Sequence, residues 1–308
     1  MEWSPTFSYC ELVVIFVALC SSLYFVYIVS NLTILQATSR IFLGLFTVAL
    51  FLLAFSHGCK NIENILDPPQ EDGTPHTMSL RRYVWSILHE FAFALNTLSL
   101  FMFSLERYIT AKFCIISTPK NQMIAVCVGF LILVGGMAYA DLVHFVNSPI
   151  IPVTCMNIVD IAALVILVFS SKFSIKHYRD TTGKLSLETR FQISDVYIWT
   201  KAIIPVACFA FLLKFTFVVV IWMLWTVENS ISYQIDFTRY FQTVMDVFII
   251  ILPFLINANH RRLKKLKLRI RNRERVTPEV HVRTLDGKAI HMKESIHDHF
   301  DFLKNHWK

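Results

Sequence analysis

The chain has 308 residues, of which 55% are hydrophobic and only 17% charged, and its mean hydropathy is +0.53. Soluble domains carry about a quarter charged residues, and a soluble protein this apolar would expose large hydrophobic patches and aggregate, so composition excludes a soluble fold. The net charge of +7 is confined to a few loops and the C-terminal tail, without the interleaved stacking aromatics of single-strand binders, which argues against nucleic-acid binding.

Seven apolar segments follow one another, each suited to crossing a bilayer as a helix of about 20 residues. We therefore expect an all-α membrane protein whose residues 1–258 form a seven-transmembrane helix bundle. A basic juxtamembrane segment (259–275) and a cytoplasmic tail (276–308) follow it. The predicted spans are 11–35, 41–59, 83–105, 122–146, 156–173, 202–227 and 233–257.

Lys and Arg fall mainly on one side of these spans. With alternating crossings, Arg40, the loop 172–201 and the tail share a side, whereas Lys60, Arg81 and Arg82 share the other. Cytoplasmic loops carry the excess of Lys and Arg. We therefore expect the N-terminus outside and the C-terminus in the cytoplasm.

Polar residues in the outer halves of the second to fifth spans are candidates for lining an outward-facing ligand cavity. Each alone is also typical of a boundary or packing position, because ionisable groups at bilayer depth usually face a partner or a cavity. The candidates are His57, His89, Glu90, Asp141, His144 and Asp160.

Cysteines show neither a C-x-x-C pair nor a zinc-ligand spacing, so we expect no metal site and no cofactor. Cys10, Cys59 and Cys155 fall at the predicted outer ends of spans, where an oxidising environment permits a disulfide. We expect Cys59 to pair with Cys155.

Glu106, Arg107 and Tyr108 end the third span on its cytoplasmic side. An acid beside an arginine can hold that arginine in a local pair, and breaking the pair frees a permanently charged donor for a cytoplasmic partner. The alternative is that Arg107 only anchors the helix end at the lipid headgroups.

The polar stretch 174–201 is long enough for helical extensions of the fifth and sixth spans, although a solvated loop fits it equally.

Two stretches resemble signatures of nematode serpentine chemoreceptors. Residues 106–113, ERYITAKF, are similar to the Glu-Arg-x-x-Ala-Thr stretch of that group, and residues 185–195, LSLETRFQISD, to its Leu-Ser-x-Arg-Phe-Gln signature. Within the Sra superfamily the chain most resembles the Sre class, over about residues 1–275.

The resemblance implies a G-protein-coupled chemoreceptor in the plasma membrane of a sensory neuron, in its cilia. Its ligand would be an environmental small molecule, and its partner a heterotrimeric G protein. The residues implied to couple to that partner are Glu106, Arg107, Tyr108, Arg190, Gln192 and Asp195.

Lys214 and Asp246 lie near the middle of the sixth and seventh spans. A buried charge in a span usually has a partner, so matched depth and opposite sign predict an intramembrane ion pair between them.

Farther along, residues 260–271 place Leu263, Leu266 and Ile270 near one helical face among cations, a pattern typical of a helix on anionic inner-leaflet lipid. A stop-transfer cluster would give the same pattern.

Other classes of heptahelical protein fit less well. A zinc hydrolase would need a His-x-x-x-His pair on a span, and a retinal protein a buried lysine in the last span, whereas Lys214 is in the sixth. We therefore expect a non-enzyme. A ligand-gated channel or transporter stays the alternative: Pro253 could break a helix, but no duplicated pattern accompanies it.

Overall fold

A computed structural model describes residues 5–31, 36–66, 80–113, 119–145, 150–180, 187–227, 231–276, 282–283 and 289–290. Within them lie seven α-helices that are long and apolar enough to cross a membrane. The helices are α1 (Pro5–Asn31), α2 (Ala37–Leu66), α3 (Leu80–Phe113), α4 (Pro119–Phe145), α5 (Ile150–Asp180), α6 (Leu187–Val227) and α7 (Ile231–Val276).

All seven predicted spans are confirmed as helices, and α2, α3, α5 and α7 run past both predicted ends. Residues 32–35 of the first predicted span and residue 146 of the fourth lie outside the described residues. Proline begins α1 and α4, where its missing N–H costs nothing. Pro205 and Pro253 lie inside α6 and α7 without ending them, as is common in membrane helices. Within the stretch 174–201, α5 continues to Asp180 and α6 begins at Leu187, so its described parts are the helical extensions rather than the solvated loop.

Successive helices run up and down, and α3 lies at the centre of the bundle. It packs against α2, α4, α5 and α6, whereas α1 packs against α2 and α7. The Ser21 hydroxyl of α1 donates to the Ile250 carbonyl of α7 over 3.0 Å, which ties the first helix to the last. We call the end of the bundle that holds Glu11 the Glu11 end and the opposite end the Arg107 end.

Large apolar side chains cover the outer surface of the bundle as well as its core. Phe16, Phe130 and Phe254 are each at least 60% exposed on three different helices. Such a surface is unstable in water and stable against lipid tails. The chain is therefore a multi-pass membrane protein.

The C-terminal region continues the last helix and adds a strand pair. The basic segment 259–275 is helical and continuous with α7. Beyond it, β1 (Val282–Arg283) pairs antiparallel with β2 (Ala289–Ile290), with Val282 opposite Ile290.

Candidate functional site

Arg107, near the last turn of α3, is completely buried in a cluster of polar groups that we call the Arg107 cluster. Its Nε donates to Glu106 Oε2 over 2.6 Å and its Nη2 to Glu106 Oε1 over 2.9 Å. The same Nη2 donates to the Ser39 hydroxyl of α2. The local acid–arginine pair expected from the sequence is thus formed, in a bidentate arrangement that is among the strongest of hydrogen-bonded ion pairs.

Three hydroxyls complete the Arg107 cluster around the Glu106 carboxylate. Thr38 donates over 3.1 Å and Ser39 over 2.9 Å from the start of α2, and Thr110 donates over 3.2 Å from one turn further along α3. A buried charge is tolerated only when its hydrogen bonds are satisfied. The hydrogen bonds of the cluster therefore keep the Arg107 side chain buried between α2 and α3.

The remaining predicted coupling residues divide into two groups. The Tyr108 ring points away from the Arg107 cluster and packs edge-on against Phe173 of α5, with ring centroids 5.6 Å apart. Arg190, Gln192 and Asp195 belong to the helical backbone at the start of α6, but their side chains lie outside the described residues.

A cavity beside the Arg107 cluster opens between α2, α3 and α4. Its volume is about 210 Å³, and Thr38, Glu106, Thr110 and Asn121 are among its lining residues. Arg107 is not among them. The Glu106 carboxylate therefore borders open space while the guanidinium beside it does not.

A second cavity, which we call the ligand cavity, lies toward the Glu11 end and is enclosed by α3, α5, α6 and α7. Its volume is about 170 Å³. Much of its wall is aromatic, and four polar side chains also line it. The aromatic residues are Phe93, Phe217, Trp222 and Phe241, and the polar ones are His89, Glu90, Thr238 and Gln242.

His89 joins the wall of the ligand cavity to α2 and α7. Its Nδ1 lies 3.2 Å from the Ser56 hydroxyl and its Nε2 lies 3.2 Å from Gln242 Nε2. The amide nitrogen of Gln242 can only donate, so His89 Nε2 accepts. Ser56 donates to the Leu53 carbonyl, so its oxygen accepts from Nδ1–H. These contacts assign His89 the neutral tautomer with its proton on Nδ1.

His57 lies in a separate group of buried charges that we call the His57 cluster. Its Nδ1 is 2.5 Å from Asp246 Oδ2 of α7, and its Nε2 is 3.2 Å from Glu11 Oε1 of α1. Arg239 Nη2 donates to Glu11 Oε2 over 2.6 Å, and Thr243 donates to Glu11 Oε1 over 2.9 Å. Two carboxylates thus face an imidazole and a guanidinium between three helices.

A void of about 20 Å³, the size of one water molecule, borders both regions. It touches His57 and Asp246 on one side, and its wall shares His89, Phe93 and Gln242 with the ligand cavity. These shared residues are therefore the layer between the ligand cavity and the void beside the buried charges that join α1, α2 and α7.

The predicted ion pair between Lys214 and Asp246 is wrong. Lys214 Nζ lies 2.9 Å from Asp160 Oδ2 of α5 and donates to Thr97 over 2.7 Å and to Asn96 over 3.3 Å, both on α3. We call this group the Lys214 cluster. Position along a helix does not tell which neighbouring helix a side chain faces.

The six predicted cavity residues are only partly brought together. His89 and Glu90 line the ligand cavity, and His57 borders the adjoining void. Asp160 is 4% exposed, pairs with Lys214 and is not among the lining residues of the ligand cavity. Asp141 and His144 are on α4, away from the ligand cavity, with the His144 ring 5.2 Å from that of Tyr83.

The predicted disulfide is not formed, since both Cys59 and Cys155 are free thiols. They belong to α2 and α5, and α3 packs against both of those helices. Among the described residues no group of three or more His, Cys, Asp and Glu side chains is placed to hold a metal ion.

Several site residues are not predicted by any sequence motif. Glu11 and Arg239 each lie near the end of an apolar segment, where charges are common, although opposite charges at the same end of two spans are a usable signal. Thr38 and Ser39 carried no signal, because isolated hydroxyls near a helix start are common.

No protein-family model matches the chain, and a search of curated proteins finds no relative. The two sequence signatures therefore stay a resemblance, and function rests on the cavity and the three polar clusters.

Proposed function

We propose that this chain is a receptor that binds a small molecule in the ligand cavity and signals to a heterotrimeric G protein at the Arg107 end. The observation that carries the proposal is that α3 holds both sites. Glu90 lines the ligand cavity, and Arg107 lies in the Arg107 cluster near the other end of the helix. The two residues are 17 positions apart, which is roughly 25 Å along the helix.

The orientation we propose places the N-terminus outside and the Arg107 end in the cytoplasm. Arg40, Lys112, Lys120 and Lys176 lie at the Arg107 end of their helices, as does the basic continuation of α7. An excess of Lys and Arg favours the cytoplasmic side. The ligand cavity then lies in the outer half of the bundle, where an extracellular molecule can enter.

The mechanism we propose is a shift in population between two states of the bundle. A ligand in the cavity touches α3, α5, α6 and α7 together, and the stacked rings of Phe217 and Phe241, with centroids 4.0 Å apart, couple α6 to α7. Binding therefore favours one relative placement of these helices. In the signalling state the Arg107 cluster opens, so that the guanidinium meets the G protein.

Two further elements belong to the proposal. The basic helix 259–275 would lie against anionic lipid of the inner leaflet, because a row of cations there is attracted to negative headgroups. By resemblance, the ligand is an environmental chemical and the receptor resides in the ciliary plasma membrane of a sensory neuron.

The test is G-protein activation, read with an energy-transfer sensor panel in cells that express the chain and receive pooled small molecules. We would compare wild type with Arg107→Ala and, as a matched control, with Lys120→Ala, an exposed cation at the same end of the bundle. A response that Arg107→Ala loses and Lys120→Ala keeps, at equal surface expression, supports the proposal.

Two results would count against it. A full response in Arg107→Ala would remove the role given to the Arg107 cluster. A ligand-evoked current that persists without G proteins would favour the ligand-gated channel.

A further inference from the structure

We propose that the ligand cavity takes a protonated amine that carries one aromatic ring, with the Glu90 carboxylate as the partner of its ammonium group. The inference rests on the proposed function in so far as both use the same cavity. It goes further by naming the chemical class of the ligand.

The charge of the cavity wall is the first argument. Glu90 is the only acid among the described lining residues, and none of them is Lys or Arg. His89, the one other titratable side chain there, is held as the neutral tautomer by Ser56 and Gln242. The described wall therefore offers one carboxyl group and no cationic side chain, which suits a cationic ligand better than an anionic one.

The second argument is that Glu90 is unpaired. Among residues whose side chains are described, none forms a hydrogen bond or an ion pair with its carboxylate, and Lys60 acts on it only electrostatically from a longer distance. By contrast, Glu11, Asp160 and Asp246 each have a cationic or imidazole partner. A carboxylate without a partner is costly within a membrane span, so a ligand that supplies a cation is favoured.

The third argument is the placement of hydrogen-bond acceptors. Gln242 turns its amide nitrogen to His89, which leaves its carbonyl oxygen as an acceptor in the same wall. A primary ammonium group has three N–H donors. Glu90 and Gln242 thus offer acceptors, and no lysine or arginine competes as a donor in the described wall.

The fourth argument is size and surface. A cavity of about 150 Å³ lined by apolar side chains is known to bind benzene, and the ligand cavity measures about 170 Å³. Phe217, Phe241 and Trp222 supply an aromatic surface that packs well against a ring and attracts a cation through the ring faces. One ring with a short aminoalkyl chain fits this space.

The experiment is direct binding to the full chain, purified and reconstituted in lipid nanodiscs. Tritiated phenethylamine is the probe, and phenethyl alcohol and hydrocinnamate are the neutral and anionic competitors of the same shape. We expect the amine to bind most tightly and hydrocinnamate least. Because a hydrogen bond to a charged group is a strong one, Glu90→Gln should weaken amine binding about 10- to 100-fold and change phenethyl alcohol binding less than about twofold.

Two control variants sharpen the test. Asp141→Asn removes an exposed carboxylate outside the cavity wall and should leave amine binding unchanged. Lys60→Met removes the nearby cation, so amine binding should become several-fold tighter. Retained binding of phenethyl alcohol to Glu90→Gln shows that this variant is folded.

The amine assignment is overturned if Glu90→Gln binds phenethylamine as wild type does, if the alcohol binds as tightly as the amine, or if none of the three compounds binds wild type. These outcomes leave the proposed function to be judged separately, because the signalling assay uses a broad pool of molecules and does not depend on this class.

Discussion

Replacing Lys214 with methionine should destabilise the bundle strongly, because its partner would stay behind as a buried charge. At the observed 2.9 Å, two unit charges in a medium of effective dielectric constant 20 attract by about 6 kcal/mol. Desolvation of both ions offsets much of that attraction. Removing one partner nevertheless costs about 3–5 kcal/mol, since the other charge loses its compensation.

The expected loss corresponds to roughly 6 to 20 °C in apparent melting temperature. We would measure it by size-exclusion chromatography of heated, fluorescently tagged protein. A thiol-reactive dye is unsuitable, because Cys10 and Cys155 are exposed near the ends of their helices and would react before unfolding.

A double variant distinguishes this pair from the one the sequence suggested. Lys214→Met with Asp160→Asn leaves no unpaired charge and should recover at least half of the lost stability. Lys214→Met with Asp246→Asn should lower it further, because Asp246 pairs with His57. Recovery in the second double variant and not in the first would refute the observed pairing.

Three further predictions follow from other contacts. Arg239→Ala should lower the melting temperature more than Arg239→Lys, since a lysine can still face the buried Glu11 carboxylate; equal losses would contradict this. Gly136→Ala should destabilise α3–α4 packing, because its Cβ would meet the Phe91 ring at 3.1 Å, whereas Gly44→Ala meets nothing within 4 Å and should be neutral or stabilising by about 0.5–1 kcal/mol. An N-terminal epitope tag should be accessible to antibody on intact cells and a C-terminal tag only after permeabilisation; the opposite labelling would reverse the proposed orientation.

The membrane-spanning helices could be predicted from the sequence because each corresponds to one continuous run of apolar residues. An apolar run such as 202–227 predicts a span wherever it packs, and the structure places it within α6. The Glu106–Arg107 pair was predictable for a similar reason, since the two residues are adjacent in the chain and lie at a helix end.

Partners between helices were not predictable from the sequence. Lys214 and Asp246 match in depth and charge, yet Lys214 faces α3 and α5, and Asp246 faces His57 on α2. Choosing between Asp160 and Asp246 requires knowing how each helix is rotated about its axis. The near-uniform hydrophobicity of α5 and α6 carries no such information, because a helix that is apolar on every side does not show which face is buried.

The ligand cavity shows the same limit. His89 and Glu90 line it, but its aromatic wall comes from α3, α6 and α7, and those phenylalanines are indistinguishable in sequence from the many others that face lipid. A cavity forms where neighbouring helices leave a gap in their packing, and neither composition nor periodicity predicts the position of such a gap.

The contacts between α1 and α7 have a consequence for biosynthesis. Glu11 enters the bilayer with the first helix, whereas Arg239 and Thr243, which neutralise and bond it, belong to the last. During translation these α7 partners are inserted only after almost the entire chain, and His57 of α2 is the earlier partner of Glu11 among the described residues. Lys214, in contrast, arrives after α3 and α5 have already delivered Asn96, Thr97 and Asp160. A chain that stops before α7 would lack the hydrogen bonds from Arg239 and Thr243 to Glu11, so its first helix would hold an incompletely compensated carboxylate within the membrane.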